Sequence, residues 1–337
     1  MSAPARILLL GASGQVGHAL QFALRHTARE LKPLFSHLAC HHDRPRSAET
    51  SPHDQLVRAT RDGKLDGADC ERIDLSDLEE LRAALDRIAP DLIVNAAAYT
   101  AVDRAEDEPD LAMRINAQAV GVLGEWAVAH DAHVVHYSTD YVFDGSAAQP
   151  YREDDPAKPV SAYGRSKLAG EFALRASGAS HLILRTAWVY APRGNNFLRT
   201  MLRLAKERDC LRVVDDQIGA PTPAELIAQV TAQVIPRWFN VDQGDMTEHS
   251  LDGVYHLTAG GTTTWHEFAG AILARAHRAG LIARVPEIAA IKTRDYPTRA
   301  RRPAYSVLDT TLLRETFGAQ LPDWREGLDE VFKDLAG

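Results

Sequence analysis

The chain has 337 residues, 45% of them hydrophobic and 25% charged, and a net charge of −8. That length allows one large domain or two moderate ones with ample core. The acidic balance argues against a nucleic-acid binder, which would carry a basic face, and no apolar stretch approaches the roughly 20 residues that cross a bilayer.

The N-terminus runs straight into a strand, so no signal peptide is expected. Cys40, Cys70 and Cys210 are odd in number and scattered, which suggests reduced thiols and a cytoplasmic location.

Arg6 to Leu10 reads as an apolar strand. Gly11-Ala12-Ser13-Gly14-Gln15-Val16-Gly17 follows, and helical periodicity continues through Leu20, Ala23 and Leu24. Strand, glycine turn and helix open a dinucleotide-binding unit. His37 to His42 is expected as the second strand, and residues 43–72, polar and aperiodic, as an insertion or long loop. Leu78 to Ile88 reads as a helix. Asp91 to Asn95 is a continuous apolar run, the mark of a buried parallel strand. A helix follows from about Leu111 to His130, then a strand from Ala132 to Ser138. Pro150 to Pro159 reads as a loop, Ala162 to Arg175 as a helix, and Leu182 to Thr186 as a strand. This alternation predicts an α/β fold, a doubly wound parallel sheet.

Past Trp188 the rhythm loosens. Helices are expected over Asn196 to Glu207, Pro223 to Val234 and Trp265 to Arg278. Strands are expected over Leu211 to Val214 and Gly253 to Leu257, and residues 239–252 read as a surface loop. The chain divides into a dinucleotide-binding unit, 1–187 with about 217–252, and a smaller discontinuous α/β substrate unit, 188–216 with 253–337.

Ser138-Thr139-Asp140-Tyr141 and Tyr163-Gly164-Arg165-Ser166-Lys167 carry the chemistry. A carbonyl reductase needs a hydroxyl to polarise the carbonyl, a phenol to supply a proton and an ammonium to lower the phenol's pKa. Tyr163 and Lys167 are four apart, hence on one helix face. Bringing a phenol from near 10 to about 7 takes roughly 4 kcal/mol, and an ammonium about 5 Å away supplies roughly 3 kcal/mol. Either Ser138 or Thr139 can be the hydroxyl. The chain has 7 Lys against 31 Arg, yet it places Lys where a compact ammonium is required.

In the glycine turn, Gly11 allows the tight turn, Gly14 lets backbone approach a pyrophosphate, and Gly17 lets helix pack on strand. The spacing is Gly-x-x-Gly-x-x-Gly and not the Gly-x-Gly-x-x-Gly fingerprint. Cofactor choice belongs at the end of the second strand. There Asp43 would bond a ribose diol and favour NADH, while Arg44 or Arg46 would hold a 2′-phosphate and favour NADPH. His41 and His42 have no metal-ligand spacing, and no metal site is expected.

The glycine turn, the Tyr/Lys pair and the upstream hydroxyl together resemble the extended short-chain dehydrogenase/reductase family. Within it, NAAAYTAVDRAEDEP from Asn95, HYSTDYVFDG from His136, YGRSKLAGE from Tyr163 and LILRTAWVYAPRGNNF from Leu182 are similar to the dTDP-4-dehydrorhamnose reductase branch. So are DDQIGAPT from Asp215, GTTTWHEFA from Gly261 and YPTRARRP from Tyr296.

The resemblance implies reduction of a dTDP-linked 4-keto-6-deoxy sugar by NADPH or NADH. Thr139 matches the polarising hydroxyl, Tyr163 the proton donor, and Lys167 the ribose-binding, pKa-lowering lysine. Gly14, Gln15 and Val16 match the pyrophosphate turn, and Asp74 and Leu75 an adenine-side pair. Ala98, Tyr99, Thr100 and Tyr137 match the cofactor wall. Asp140 and Trp188 match sugar-side contacts. Asn195, Asn196, Arg299, Arg301 and Arg302 match the nucleotide-diphosphate site, where arginines suit a pyrophosphate.

Some family members bridge a dimer through a metal held partly by a carboxylate on the first helix. Ala19 stands there in this chain, so both a monomer and a homodimer stay open. The rival activities are a sugar-nucleotide epimerase or dehydratase on the same fold, and a non-catalytic regulatory subunit. A dehydratase would place Glu where Tyr141 stands, and the intact hydroxyl, phenol and lysine argue for retained chemistry.

Overall fold

The computed structural model describes residues 6–30, 56–244 and 251–336. Its centre is a sheet of seven parallel strands: β1 (Ile7–Leu10), β2 (Leu56–Thr60), β3 (Glu71–Arg72), β4 (Leu92–Asn95), β5 (His133–Thr139), β6 (His181–Thr186) and β7 (Gly253–His256). Their order across the sheet is β7-β6-β5-β4-β1-β2-β3. Every neighbouring pair is parallel, with Ile7 beside Leu56 on one side and Leu92 on the other. The strand order reverses at β1, and the carboxyl ends of β1 and β4 open a crevice there, where doubly wound sheets bind ligands.

Apolar strands covered on both faces explain the continuous hydrophobic runs ILLL and LIVN. Ile7, Leu9, Val94 and Leu184 face a core completed by α1 (Gln15–Glu30). Leu8, Leu10, Ile93 and Ile183 face the other core. That second core is completed by α2 (Leu78–Ile88), which places Leu81, Leu85 and Ile88 inward. The segment expected as one helix from Leu111 is α3 (Pro109–Met113), a π turn (Arg114–Gln118) and α4 (Ala119–Ala129). α5 (Ala162–Ser177) starts on Ser161, whose side chain accepts from the Gly164 N–H, and ends on Gly178 in the left-handed conformation.

Three sequence expectations change. The second strand expected at 37–42 lies outside the described residues. The strand beside β1 is Leu56–Thr60, within the stretch read as an insertion. Arg58 breaks its apolar pattern, yet Leu56 and Ala59 are buried. The stretch also holds β3 and a short antiparallel ladder of Lys64–Leu65 with Ala68–Asp69. Second, Gly253–His256, assigned to the substrate unit, is the edge strand of the large sheet, paired with β6. A sheet edge takes whichever strand the topology returns to it, and a four-residue run does not disclose its partner.

Third, the helix expected to stop at Val234 continues. After α6 (Phe197–Glu207), α7 (Ala224–Gly244) runs through Pro236 into residues read as loop. Proline forfeits one helical hydrogen bond. Burial of Trp238 and Phe239 just beyond it holds the extra turns, and Trp238 Nε1 donates to Asp252 at 2.8 Å.

The remaining chain builds a smaller lobe. Cys210–Val214 pairs in parallel with Glu287–Ile291. α8 (Trp265–Arg278), α9 (Thr311–Phe317) and α10 (Trp324–Ala336) complete it. The fully buried Phe268 and Trp324 meet edge-on at 5.7 Å. No helix among the described residues is long and apolar enough to cross a membrane, and no group of three or more potential metal ligands occurs among them.

Candidate active site

The glycine turn joins β1 to the N-terminus of α1 and lies against Ala97, just past β4. Gly11 has φ +74°. A Cβ on Gly17 would sit 2.0 Å from the Gly11 carbonyl oxygen, so any side chain there would force α1 off the turn. The result is a narrow cradle of backbone at a helix N-terminus, which suits a pyrophosphate. Gln15 accepts at Oε1 from Asn196 Nδ2 at 2.7 Å, and Val16 packs on the core beneath.

The other residues expected on the cofactor side lie past the ends of β3 and β4 or within β5. Asp74 accepts from the N–H and hydroxyl of Ser76 at 2.9 and 2.8 Å, while Leu75 is buried in the core. Ala98, Tyr99 and Thr100 follow β4. Asn116, on the π turn, accepts from the Tyr99 N–H and donates to the Tyr99 carbonyl. The Tyr99 hydroxyl donates to Glu108 at 2.6 Å. The Tyr137 hydroxyl meets Thr231 at 2.8 Å inside the core, and its carbonyl accepts from Lys167. Asp43 lies outside the described residues.

Strand alternation separates the two hydroxyls at the end of β5. Ser138 turns away and donates to the buried Glu171 at 2.5 Å. Thr139 donates to Asp140 at 3.0 Å, accepts from the Tyr141 N–H at 3.2 Å, and is near enough to the Tyr163 phenol to pull its pKa down. Of the two hydroxyls, Thr139 is therefore the one beside Tyr163. Tyr141 packs edge-on against Tyr163, with ring centroids 5.7 Å apart. Gly164 makes this approach possible, since a Cβ there would lie 2.2 Å from the Tyr141 carbonyl oxygen.

Burial raises the Tyr163 phenol well above its ordinary pKa, and its hydrogen bond with Thr139 only partly offsets this. Lys167 is almost fully buried, and its Nζ donates to the Tyr137 carbonyl at 2.6 Å and lies 3.1 Å from His136 Nε2. Burial pushes its pKa down to about 8, against an upward pull from Glu171. Burial also lifts Asp140 to about 6, against a downward pull from the nearby Ser306 and Thr139 hydroxyls, and its Oδ2 is buried with no hydrogen bond of ordinary length. An orphaned acceptor at this edge suits a ligand hydroxyl.

Sequence reasoning missed the support beneath these groups. Glu171 receives two bonds from the buried Arg185 guanidinium, at 2.9 and 2.7 Å. Asn95 and His136 stand behind Lys167. Asn116 donates to Ser166, fixing α5 against the π turn. Their signal was present in part, because His136 and Glu171 lie inside the quoted motifs, but a motif does not say which side of a strand or helix faces the ligand.

The expected sugar-side residues are gathered only in part. Trp188, at φ +47°, stacks on Trp265 with ring centroids 3.6 Å apart. Asn195 is exposed. Asn196 caps α6 and has its amide engaged with Gln15, Ala191 and Arg193. Arg302 donates to Asp103 at 2.9 Å and reaches the Tyr141 hydroxyl at 3.5 Å. Arg299 is paired with Asp107, and Arg301 is exposed. Two of the three arginines thus carry carboxylate partners.

A dTDP-4-dehydrorhamnose reductase of Shigella flexneri is 47% identical over 262 residues, 78% of this chain and 85% of that protein. One from Burkholderia thailandensis is 44% identical over 336 residues, 98% of this chain and 99% of that protein. The crystal structure of a Bacillus anthracis dTDP-4-dehydrorhamnose reductase in complex with NADP is 30% identical. It superposes with a TM-score of 0.77, covering 98% of this chain and 99% of that one. The profile described as the RmlD substrate binding domain matches residues 5–336, and the chain belongs to that family.

Proposed function

We propose that the chain reduces the C4 ketone of dTDP-4-dehydro-6-deoxy-L-mannose to dTDP-L-rhamnose, the last step of dTDP-rhamnose synthesis, with NADPH or NADH. The observation that supports this reading is that Thr139 ends β5 near the Tyr163 phenol, while Lys167, one turn beyond Tyr163 on α5, bonds the Tyr137 carbonyl of the same strand. The cradle around Gly11, Gly14, Gln15, Val16 and Gly17 would hold the cofactor pyrophosphate, and Lys167 its nicotinamide ribose. When bound, the reduced nicotinamide supplies the hydride.

The rest is the chain's own work. With substrate bound, the Thr139 hydroxyl turns its one proton from Asp140 to the ketone oxygen and draws electron density from C4. Tyr163 holds its proton until that oxygen becomes basic, then passes it over. A charged Lys167 steadies the phenolate that remains. Asp140 and Trp188 orient the sugar, and Arg301 and Arg302 face its diphosphate.

Cofactor preference is placed at the end of β2. Arg61 is exposed there, directly after Thr60. The neighbouring Asp62 carboxylate is engaged by the Thr60 hydroxyl and the Lys64 N–H, at 2.9 and 3.2 Å. A guanidinium at this position favours the 2′-phosphate of NADPH. The free thiols Cys70 and Cys210 fit a cytoplasmic enzyme.

The test is consumption of reduced nicotinamide at 340 nm with dTDP-4-keto-L-rhamnose and each cofactor in turn. Formation of dTDP-L-rhamnose is the expected result. Interconversion of sugars without net consumption of the cofactor would replace this reading with an epimerase.

A further inference from the structure

Lys167 has a neighbour that ketone reduction does not require. His136 Nε2 lies 3.1 Å from Nζ, and both side chains are buried, at 1% and 2% exposure.

The tautomer of His136 follows from one unambiguous donor. The Ala97 backbone N–H can only donate, and it meets Asn95 Oδ1 at 3.2 Å. This orients the Asn95 amide, so Nδ2 is the atom facing His136 Nδ1, at 3.1 Å. Nδ2 is a donor only, so Nδ1 accepts and the one proton of a neutral imidazole sits on Nε2. The ring is neutral: burial and the neighbouring Lys167 charge hold its pKa well below the ordinary histidine value. A donor, Nε2–H, therefore faces Nζ.

An ammonium at Nζ would set two donors against each other. A neutral amine would not, because its lone pair accepts from Nε2–H while one of its own hydrogens still serves the Tyr137 carbonyl at 2.6 Å. Flipping the Asn95 amide gives no escape, since Nδ2 would then face the Ala97 N–H.

We propose that His136, locked by Asn95 in the Nε2–H tautomer, is a positioning residue that weakens the hold of Lys167 on its proton and so sets the basic limb of the enzyme's pH profile. Above that limb Lys167 is neutral and no longer steadies the Tyr163 phenolate. Burial acts in the same direction on Lys167.

The other groups around the pair are accounted for. Glu171, one turn along α5, pulls the Lys167 pKa up, but both its oxygens are bonded to Arg185. His181 on β6 adds to the depression of His136. Asp140 and Tyr141 act on Tyr163. The catalytic consequence rests on the reductase reading, whereas the tautomer does not.

Two measurements test it. The first is ¹⁵N NMR of the histidine-labelled protein without cofactor, with His136 assigned by its loss in a His136→Phe sample. A protonated Nε2 and a bare Nδ1 are expected, and a proton on Nδ1 would overturn the proposal. This needs no altered protein beyond the assignment sample and stands even if ketone reduction is never observed.

The second is the pH profile of kcat. Asn95→Asp offers Nδ1 an acceptor, moves the proton there and leaves Nε2 free to accept from an ammonium. The basic limb should rise by about one pH unit or more. His136→Phe removes the opposing N–H without adding charge and should move the limb the same way, which separates the tautomer from the field of a new carboxylate. An unmoved limb in both folded variants would overturn the proposal.

Discussion

Asn196 Nδ2 donates to Gln15 Oε1 at 2.7 Å, tying the start of α6 to the glycine turn across 181 positions. The same amide also donates to the Ala191 and Arg193 carbonyls, while Oδ1 accepts from the Arg199 N–H and caps α6. Asn196 is thus a joint between the small lobe and the cofactor cradle.

Asn196→Asp would keep the cap acceptor and lose the donors, and would place a carboxylate beside the cradle. Stability should fall by about 1–2 kcal/mol, read by chemical denaturation. Affinity for NADPH should drop several-fold in a fluorescence titration. Unchanged affinity would mean that the joint does not reach the cofactor.

Tyr163→Phe removes the proton donor and little else. Turnover should fall roughly 100- to 10,000-fold, while the cofactor dissociation constant stays within a factor of two or so. Full activity in this variant would show that another group supplies the proton.

Asp140 gives a pH signature in stability. Burial raises its pKa from 3.8 to about 6 in the folded protein. The folded state therefore binds the proton more tightly than the unfolded chain, and this contribution is complete below about pH 4 and lost as pH rises through about 6. Above that, ionised Asp140 costs up to about 3 kcal/mol. Asp140→Asn should be more stable than the parent at pH 7, with the difference closing near pH 4. A gap of the same size at both pH values would contradict it.

Arg61 tests the cofactor assignment. Losing a charged hydrogen bond costs about 1.5–3 kcal/mol, so Arg61→Ala should weaken NADPH binding by about tenfold or more. NADH, which lacks the 2′-phosphate, should bind nearly as before. Parallel titrations with both cofactors decide it, and equal losses would remove Arg61 from the selection.

Strands buried on both faces write themselves as apolar runs, so Ile7–Leu10, Leu92–Asn95 and His181–Thr186 were legible in the amino-acid order. The helix Leu78–Ile88 was legible too, because its inward face repeats at helical spacing. Leu56–Thr60 was hidden by Arg58, and Gly253–His256 was found as a strand but not as a member of the large sheet. Local pattern records burial and does not record the partner.

The site divides along the same line. That Tyr163 and Lys167 share a helix face was legible from their spacing, since four residues on a helix return to one face whatever surrounds them. Residue type left Ser138 and Thr139 equal, the family resemblance favoured Thr139, and the structure shows Ser138 engaged by Glu171. Arg299 and Arg302 kept their place in the sequence motif but met Asp107 and Asp103, almost 200 residues earlier. The order of amino acids determined which functional groups this protein carries and the local geometry that a few covalent bonds enforce. Only the packed structure decided which of those groups face one another and how far burial shifts their protons, because desolvation and hydrogen bonding depend on neighbours distant in the chain.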